Sequence, residues 1–205
     1  MIKSIIILFV TILGYILQNK LNIALPVIAL SGAFLLLIVS KKEIKVEKIF
    51  ESIQWSTLFF LAGLFMVVHG LNESGVLDIV AQKIAASTNN FALLLIIIIW
   101  ASGIISMIVD NTAFVTVMVP IILALQNHFQ NQPQLNLMWW ALSLGAVFGG
   151  NGTIIGTAAN VVGTDIARKF GLNINFNSFL RYGLPFAFLP LSIASLYILI
   201  RFYYI

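Results

Sequence analysis

Seven apolar runs, Ile5 to Leu17, Ile23 to Val39, Trp55 to Val68, Phe91 to Val109, Ala113 to Leu125, Leu137 to Phe148 and Tyr182 to Ile200, alternate with short polar segments along the 205-residue chain. A run that is apolar at every position has no face for water. Strands of an outer-membrane barrel alternate between apolar and polar residues, so this pattern predicts an all-α polytopic membrane protein whose immediate partner is the lipid bilayer. The balance of residues agrees, because 60% are hydrophobic and only 9% charged, outside the range of a soluble domain.

Several function classes fall away at once. Cysteine is absent, which removes disulfides, thiolate metal sites and cysteine nucleophiles. The net charge of +4 sits on basic residues scattered at the edges of the runs rather than on one face, so nucleic acid is not an expected partner. An intramembrane hydrolase needs paired aspartates or a His-x-x-x-His metal set in the membrane, and neither occurs. No catalytic residue, resident metal or cofactor is therefore expected. Ile5 to Leu17 follows Lys3 but precedes no small-residue cleavage site, which makes it the first span rather than a leader.

Basic residues set the expected orientation. With a cytoplasmic N-terminus, Lys3, Lys41, Lys42, Lys45, Lys48, Arg168, Lys169 and Arg181 fall inside, and Lys20, Lys83 and Arg201 fall outside, eight against three. The expected location is the plasma membrane, with the C-terminus outside. Lys45 to Trp55 carries Val46, Ile49, Phe50 and Ile53 at helical spacing and is expected to lie along the cytoplasmic interface. Val76 to Ser87 repeats that pattern after the turn Asn72-Glu-Ser-Gly75, with Val76, Val80 and Ile84 on its apolar side.

The strongest functional signal is Gly149-Gly-Asn-Gly-Thr-Ile-Ile-Gly-Thr157, a polar and glycine-rich stretch inside apolar surroundings. As one straight helix, Leu137 to Phe170 would measure about 50 Å, far beyond a hydrocarbon core of about 30 Å. A break at this stretch resolves the excess. Non-helical backbone at bilayer depth is tolerated where it is buried in protein or lines a cavity, and the exposed helix ends carry partial charges that suit an anion or a small cation. A second feature pairs with it: Ala113 to Leu125 spans roughly 20 Å, too short to cross. That favours a re-entrant hairpin over residues 91–127 with Asp110, Asn111 and Thr112 at its tip, against the alternative of two full spans. Oxygens of Asp110, Asn111 and Asn151 would suit Na⁺.

Plainer roles compete with these. Gly145 and Gly149, then Gly152 and Gly156, are small-xxx-small pairs that would also serve helix packing. Asp110 would also cap the second hairpin arm. His69 and His128 lie near the ends of runs and read as interfacial residues, while Trp55, Trp139, Trp140, Tyr203 and Tyr204 read as belt anchors.

Three segments also carry a resemblance: Trp55 to Phe65, Asp110-Asn-Thr-Ala-Phe-Val-Thr-Val-Met-Val-Pro120, and Gly149 to Val162. Together they resemble the ion-transporter superfamily of arsenite-pump membrane subunits, pink-eyed-dilution-type permeases, citrate-metal transporters and sodium-coupled divalent-anion symporters. The third segment is most similar to the arsenite-pump and permease branch. Dicarboxylate symporters carry Ser-Asn-Thr and Pro-Pro-Asn where this chain has Asp110-Asn-Thr and Ala158-Ala-Asn. Such transporters contain two inverted repeats, and the chain resembles the C-terminal one. The resemblance implies scaffold helices over residues 1–88 and a transport part over 89–205, with hairpin 91–127, broken helix 137–170 and last span 178–201. It implies a small inorganic or organic anion as substrate, Na⁺ or H⁺ as coupling ion, and a second half-transporter chain or homologous subunit as partner. Asp110, Asn111, Thr112, Gly150, Asn151, Gly152, Thr153, Gly156, Thr157 and Asn160 are the expected substrate and ion site. An inactive fragment or a non-transporting membrane subunit is the competing expectation.

Overall fold

The computed structural model describes residues 2–40 and 46–204. Ten helices account for its regular structure, and among the described residues there is no strand. They are α1 (Ile2–Leu21), α2 (Leu25–Ser40), α3 (Val46–Ser52), α4 (Trp55–Glu73), α5 (Val76–Ala86), α6 (Phe91–Ser106), α7 (Asn111–His128), α8 (Leu137–Gly150), α9 (Ala158–Lys169) and α10 (Phe176–Tyr204). Stretches Lys3–Leu21, Trp55–Glu73 and Phe176–Tyr204 are each long and apolar enough to cross a bilayer unaided. The chain is an all-α polytopic membrane protein, and its many large exposed apolar side chains suit lipid rather than water.

Two compact units divide the chain, Met1–Leu58 and Phe59–Ile205. In the first, α1 and α2 form a hairpin through the turn at Asn22, which takes φ 51°. Pro26 stands in the first turn of α2, where no intrahelical N–H is missed. Gly14 and Gly32 let the two helices close on Ile28 and Thr11. The interfacial segment expected from Lys45 to Trp55 contains the short helix α3, and Trp55 Nε1 donates to the Phe50 carbonyl at 3.1 Å. Lys41, Lys42 and Lys45 lie outside the described residues.

In the second unit, α6 and α8 run parallel and in direct contact. A Cβ on Gly145 would stand 2.6 Å from the Ile99 carbonyl oxygen, and one on Gly149 would overlap the backbone of Gly103. The pair at 145 and 149 is thus a packing device, as the small-xxx-small reading has it. Helix α10 crosses antiparallel over both, setting Leu191 against Gly103, and Phe202 against Phe91 at a ring separation of 5.8 Å. Leu94, Leu95, Ile99, Met138, Leu142 and Leu191 fill the fully buried centre.

Three sequence expectations change. The second hairpin arm is not 13 residues but 18, Asn111–His128, because Asn111 and Thr112 begin the helix before the apolar run and Gln126, Asn127 and His128 continue it beyond. At about 27 Å its length no longer argues against a crossing. On α5 the buried stripe is Leu77, Ala81 and Ala85, while Val76 and Val80 are exposed. Alanines let α5 approach α7 closely, and in lipid the larger valines lose nothing by facing outward. The last helix extends to Phe176–Tyr204, beyond the run at 178–201, with Pro185 and Pro190 inside it.

Candidate functional site

The break in the second unit is built by its own side chains. Helix α8 stops at Gly150, and residues 151–157 turn before α9 begins at Ala158. The chain folds back so tightly that a Cβ on Gly156 would overlap the Gly150 carbonyl, and one on Gly152 would meet Met107 at 2.8 Å. Asn160 holds this fold: its Nδ2 donates to the Gly150 carbonyl at 3.1 Å and to the Thr153 carbonyl at 2.8 Å. Thr157 caps α9, its Oγ1 accepting from the Asn160 backbone N–H at 3.2 Å. Gly156 N–H donates to Thr153 Oγ1 at 3.1 Å. The Gly150 and Thr153 carbonyls and the Gly156 and Asn160 N–H groups are thereby satisfied without water, which helps broken backbone persist in an apolar setting.

The link between α6 and α7 lies against this break. Asp110 N-caps α7, its carboxylate accepting from the N–H of Thr112 at 2.9 Å and of Ala113 at 3.4 Å. The capping role is therefore real. Next to it, one end of the Asn111 amide is surrounded by the carbonyls of Ala146 and Gly156 and by Ser106 Oγ. Those acceptors place the amide nitrogen there, donating to both carbonyls at 3.2 Å. Ser106 Oγ itself donates to the Ala146 carbonyl at 2.9 Å. Thr153 Oγ1 completes the junction by donating to the Met107 carbonyl.

The ten residues expected at the site fall into two groups. Gly150, Gly152, Thr153 and Gly156 are buried and shape the backbone. Thr112 and Asn151 are exposed, and Asp110, Asn111, Thr157 and Asn160 partly so, which leaves these six able to meet a ligand. Among the described residues no hydrogen bond joins Asp110 or Asn111 to Asn151, and no group of three or more His, Asp or Glu side chains could hold a metal. Any cation here would meet neutral oxygens and one carboxylate.

Residues that the sequence did not single out complete the site. Ser106 is one, fully buried at the junction. Gly183 is another: a Cβ there would stand 2.6 Å from the Gly152 carbonyl oxygen, so only glycine lets α10 pass over the break. Beside it, a cavity of about 610 Å³ opens between α9 and the first turns of α10, lined by Asn151 and Asn160 from the site and by Asn173, Ser178, Phe179 and Tyr182. A glycine two residues before Pro185 was the available sequence signal for Gly183. The cavity had none, because it depends on the direction in which α10 leaves the 171–175 link.

Residues 1–145 match the citrate transporter family. The chain is 32% identical over 203 residues to the 46 kDa membrane protein of Mycobacterium leprae, covering 98% of this chain and 47% of that relative. It is 34% identical over 204 residues to an uncharacterized transporter of Mycobacterium tuberculosis, covering 99% and 47% respectively. Against the P protein of Mus musculus it is 33% identical over 213 residues, 97% of this chain and 25% of that protein. The chain thus spans about half the length of the bacterial relatives it matches, 47% in each of these two. With the matched region holding α6, α7 and most of α8, and the M. leprae and M. tuberculosis relatives spanning nearly the whole chain, the protein belongs to the citrate transporter family.

Proposed function

We propose that this chain is the C-terminal half of a secondary transporter for a small organic or inorganic anion, of the citrate- or arsenite-permease kind, coupled to Na⁺ or H⁺. The observation that carries this reading is the junction of two interruptions of helical backbone: Asn111, which opens α7 directly after the 107–110 link, donates to the carbonyl of Gly156 within the 151–157 break. Breaks of this kind supply ligand groups at bilayer depth and mark transport sites. Family membership and the name of the M. tuberculosis relative support transport as the class of activity.

The geometry also favours an anion. Among the described residues the backbone N–H groups of Ala158 and Ala159 meet no acceptor, and they stand at the positive end of α9. Asn151, exposed in the break, offers a further amide. Hairpin tip and break would then form one face of a site whose other face comes from an inverted first half, in line with the 47% coverage of the bacterial relatives.

The test is uptake into proteoliposomes holding this chain and a first-half polypeptide. Citrate and arsenite are offered in turn, with an inward Na⁺ gradient or a pH gradient. Saturable uptake driven by one of the gradients is expected. A stable two-chain complex that moves neither anion under either gradient would favour the non-transporting subunit instead.

A further inference from the structure

Helix α10 carries two charges, Arg181 near its start and Arg201 in its last turn, and every residue from 182 to 200 is uncharged. Along the helix the two positions are about 30 Å apart, the thickness of a hydrocarbon core. Arg201 therefore stands at the depth where lipid headgroups begin. Its side chain is held in place there. Nη1 donates to the Tyr197 hydroxyl one turn back on α10 at 2.7 Å, and the guanidinium carbon lies 5.4 Å from the centre of the Trp140 ring, in the first turn of α8.

A guanidinium ordered in this way commonly meets a carboxylate. Here no carboxylate meets it. Helices α6 and α8, which pack against α10, carry no Asp or Glu, and the only ion pair among the described residues joins Asp165 to Arg168. Tyr197 takes one N–H, which leaves the Nε and Nη2 edge, a bidentate fork, without a protein partner among the described residues. Balancing the dipole at the end of α10, or reaching toward water, would use the charge alone and needs neither the Tyr197 hydroxyl nor the Trp140 ring.

The surroundings point to a lipid as the source of the missing anion. Trp140 and Tyr197 are 46% and 42% exposed, so the cluster lies on the surface of the α8–α10 pair, where the bilayer reaches it. Below it, Ile193, Leu196 and Ile200 present exposed apolar surface on the neighbouring turns of α10. We propose that Arg201, oriented by Tyr197 and Trp140, binds the phosphate of an anionic phospholipid, with an acyl chain lying along Ile193, Leu196 and Ile200. Neither α9 nor the helix break contributes to this site, so it stands or falls independently of the transport reading.

The test is titration of the full chain in a non-ionic detergent, read by native mass spectrometry, with phosphatidylglycerol, phosphatidylcholine and inorganic phosphate as probes. Parent, Arg201→Gln, Arg201→Lys and Tyr197→Phe are compared. Phosphatidylglycerol is expected to fill a first site roughly fivefold more tightly than phosphatidylcholine, whose choline offsets the phosphate charge. Arg201→Gln should weaken that site roughly tenfold and erase the preference, while Arg201→Lys, which keeps the charge but not the fork, should weaken it about threefold. Tyr197→Phe removes one hydroxyl from an exposed side chain, leaves the fold intact, and should weaken binding about twofold or more. A parent without preference for phosphatidylglycerol, unchanged binding in Arg201→Gln, full binding in both Arg201→Lys and Tyr197→Phe, or inorganic phosphate binding as tightly as the lipid would each overturn the site.

Discussion

Asn160 reaches back across the helix break to the carbonyl of Gly150, the last residue of α8, donating from Nδ2 at 3.1 Å while the same nitrogen serves Thr153 at 2.8 Å. One amide therefore fastens both sides of the interruption. A residue in that position cannot be purely a ligand, since its removal leaves two carbonyls unpaired in apolar surroundings. Asn160→Ala should lower thermal stability, costing on the order of 1–3 kcal/mol for each carbonyl that water does not reach. Asn160→Asp should be no better, because a carboxylate offers no donor to either carbonyl. Tryptophan-fluorescence melting of detergent-purified variants checks this. Wild-type melting in both would mean that the break holds without Asn160.

Asn111 makes the matching prediction from the other side. Its amide ties the start of α7 to Ala146 of α8 and Gly156 of the break. Asn111→Ala should cost about 1–3 kcal/mol and also weaken substrate or ion affinity, because the two interruptions lose their register. Asn111→Asp should destabilise more than alanine does, by placing a carboxylate against two carbonyl oxygens. Melting and binding measured on the same preparations separate the two effects, and loss of neither would remove Asn111 from the junction.

Asp110 allows a cleaner separation, since its capping bonds are visible. Asparagine caps a helix about as well as aspartate, so Asp110→Asn should keep stability, whereas Asp110→Ala should lose roughly 0.5–2 kcal/mol. If the carboxylate also serves coupling, Asp110→Asn should stay folded yet lose its dependence on the Na⁺ or pH gradient. Fully coupled uptake by Asp110→Asn would leave the carboxylate with capping alone.

Much of this was legible because membrane sequence is blunt. Apolar runs mark helices, and Gly149 to Thr157 marks an interruption, whatever the tertiary structure. What escaped were relationships set by packing. The length of α7 depended on Gln126, Asn127 and His128 joining a helix that the apolar pattern had ended at Leu125. The packed face of α5 differs from the expected Val76, Val80 and Ile84 because it is set by Leu77 with two small residues, Ala81 and Ala85, which let α7 approach. Gly145 and Gly149 look the same in sequence as Gly152 and Gly156, yet the first pair packs on α6 and the second shapes the break.

That distinction is testable. A Cβ on Gly149 would overlap Gly103 backbone, and one on Gly183 would reach the Gly152 carbonyl oxygen, neither of which can yield as a flexible side chain would. Gly149→Ala and Gly183→Ala should each cost about 1–3 kcal/mol or more. Gly163→Ala, which meets nothing within 4 Å in the middle of α9, should be neutral or slightly stabilising. Equal melting of all three variants would contradict the close approach of these helices.

Orientation is the last prediction, and it decides which side of the membrane the cavity opens to. Basic residues divide eight to three in favour of a cytoplasmic N-terminus. Helices α6 and α8 run parallel, and α9 ends in Arg168 and Lys169, two of the eight basic residues expected inside. Residues 168 and 169 should therefore face the cytoplasm, and the 129–136 link between α7 and α8 should face out. The α9–α10 cavity, whose lining includes Asn173 and Ser178 soon after Lys169 in the chain, would then lie toward the cytoplasmic side. The chain has no cysteine, so single substitutions at Lys169 and Gln130 can be labelled in intact cells without background. Gln130→Cys should react with a membrane-impermeant maleimide from outside, and Lys169→Cys only after permeabilisation. Outside labelling at position 169 would invert the assignment and make the cavity an outward-facing one.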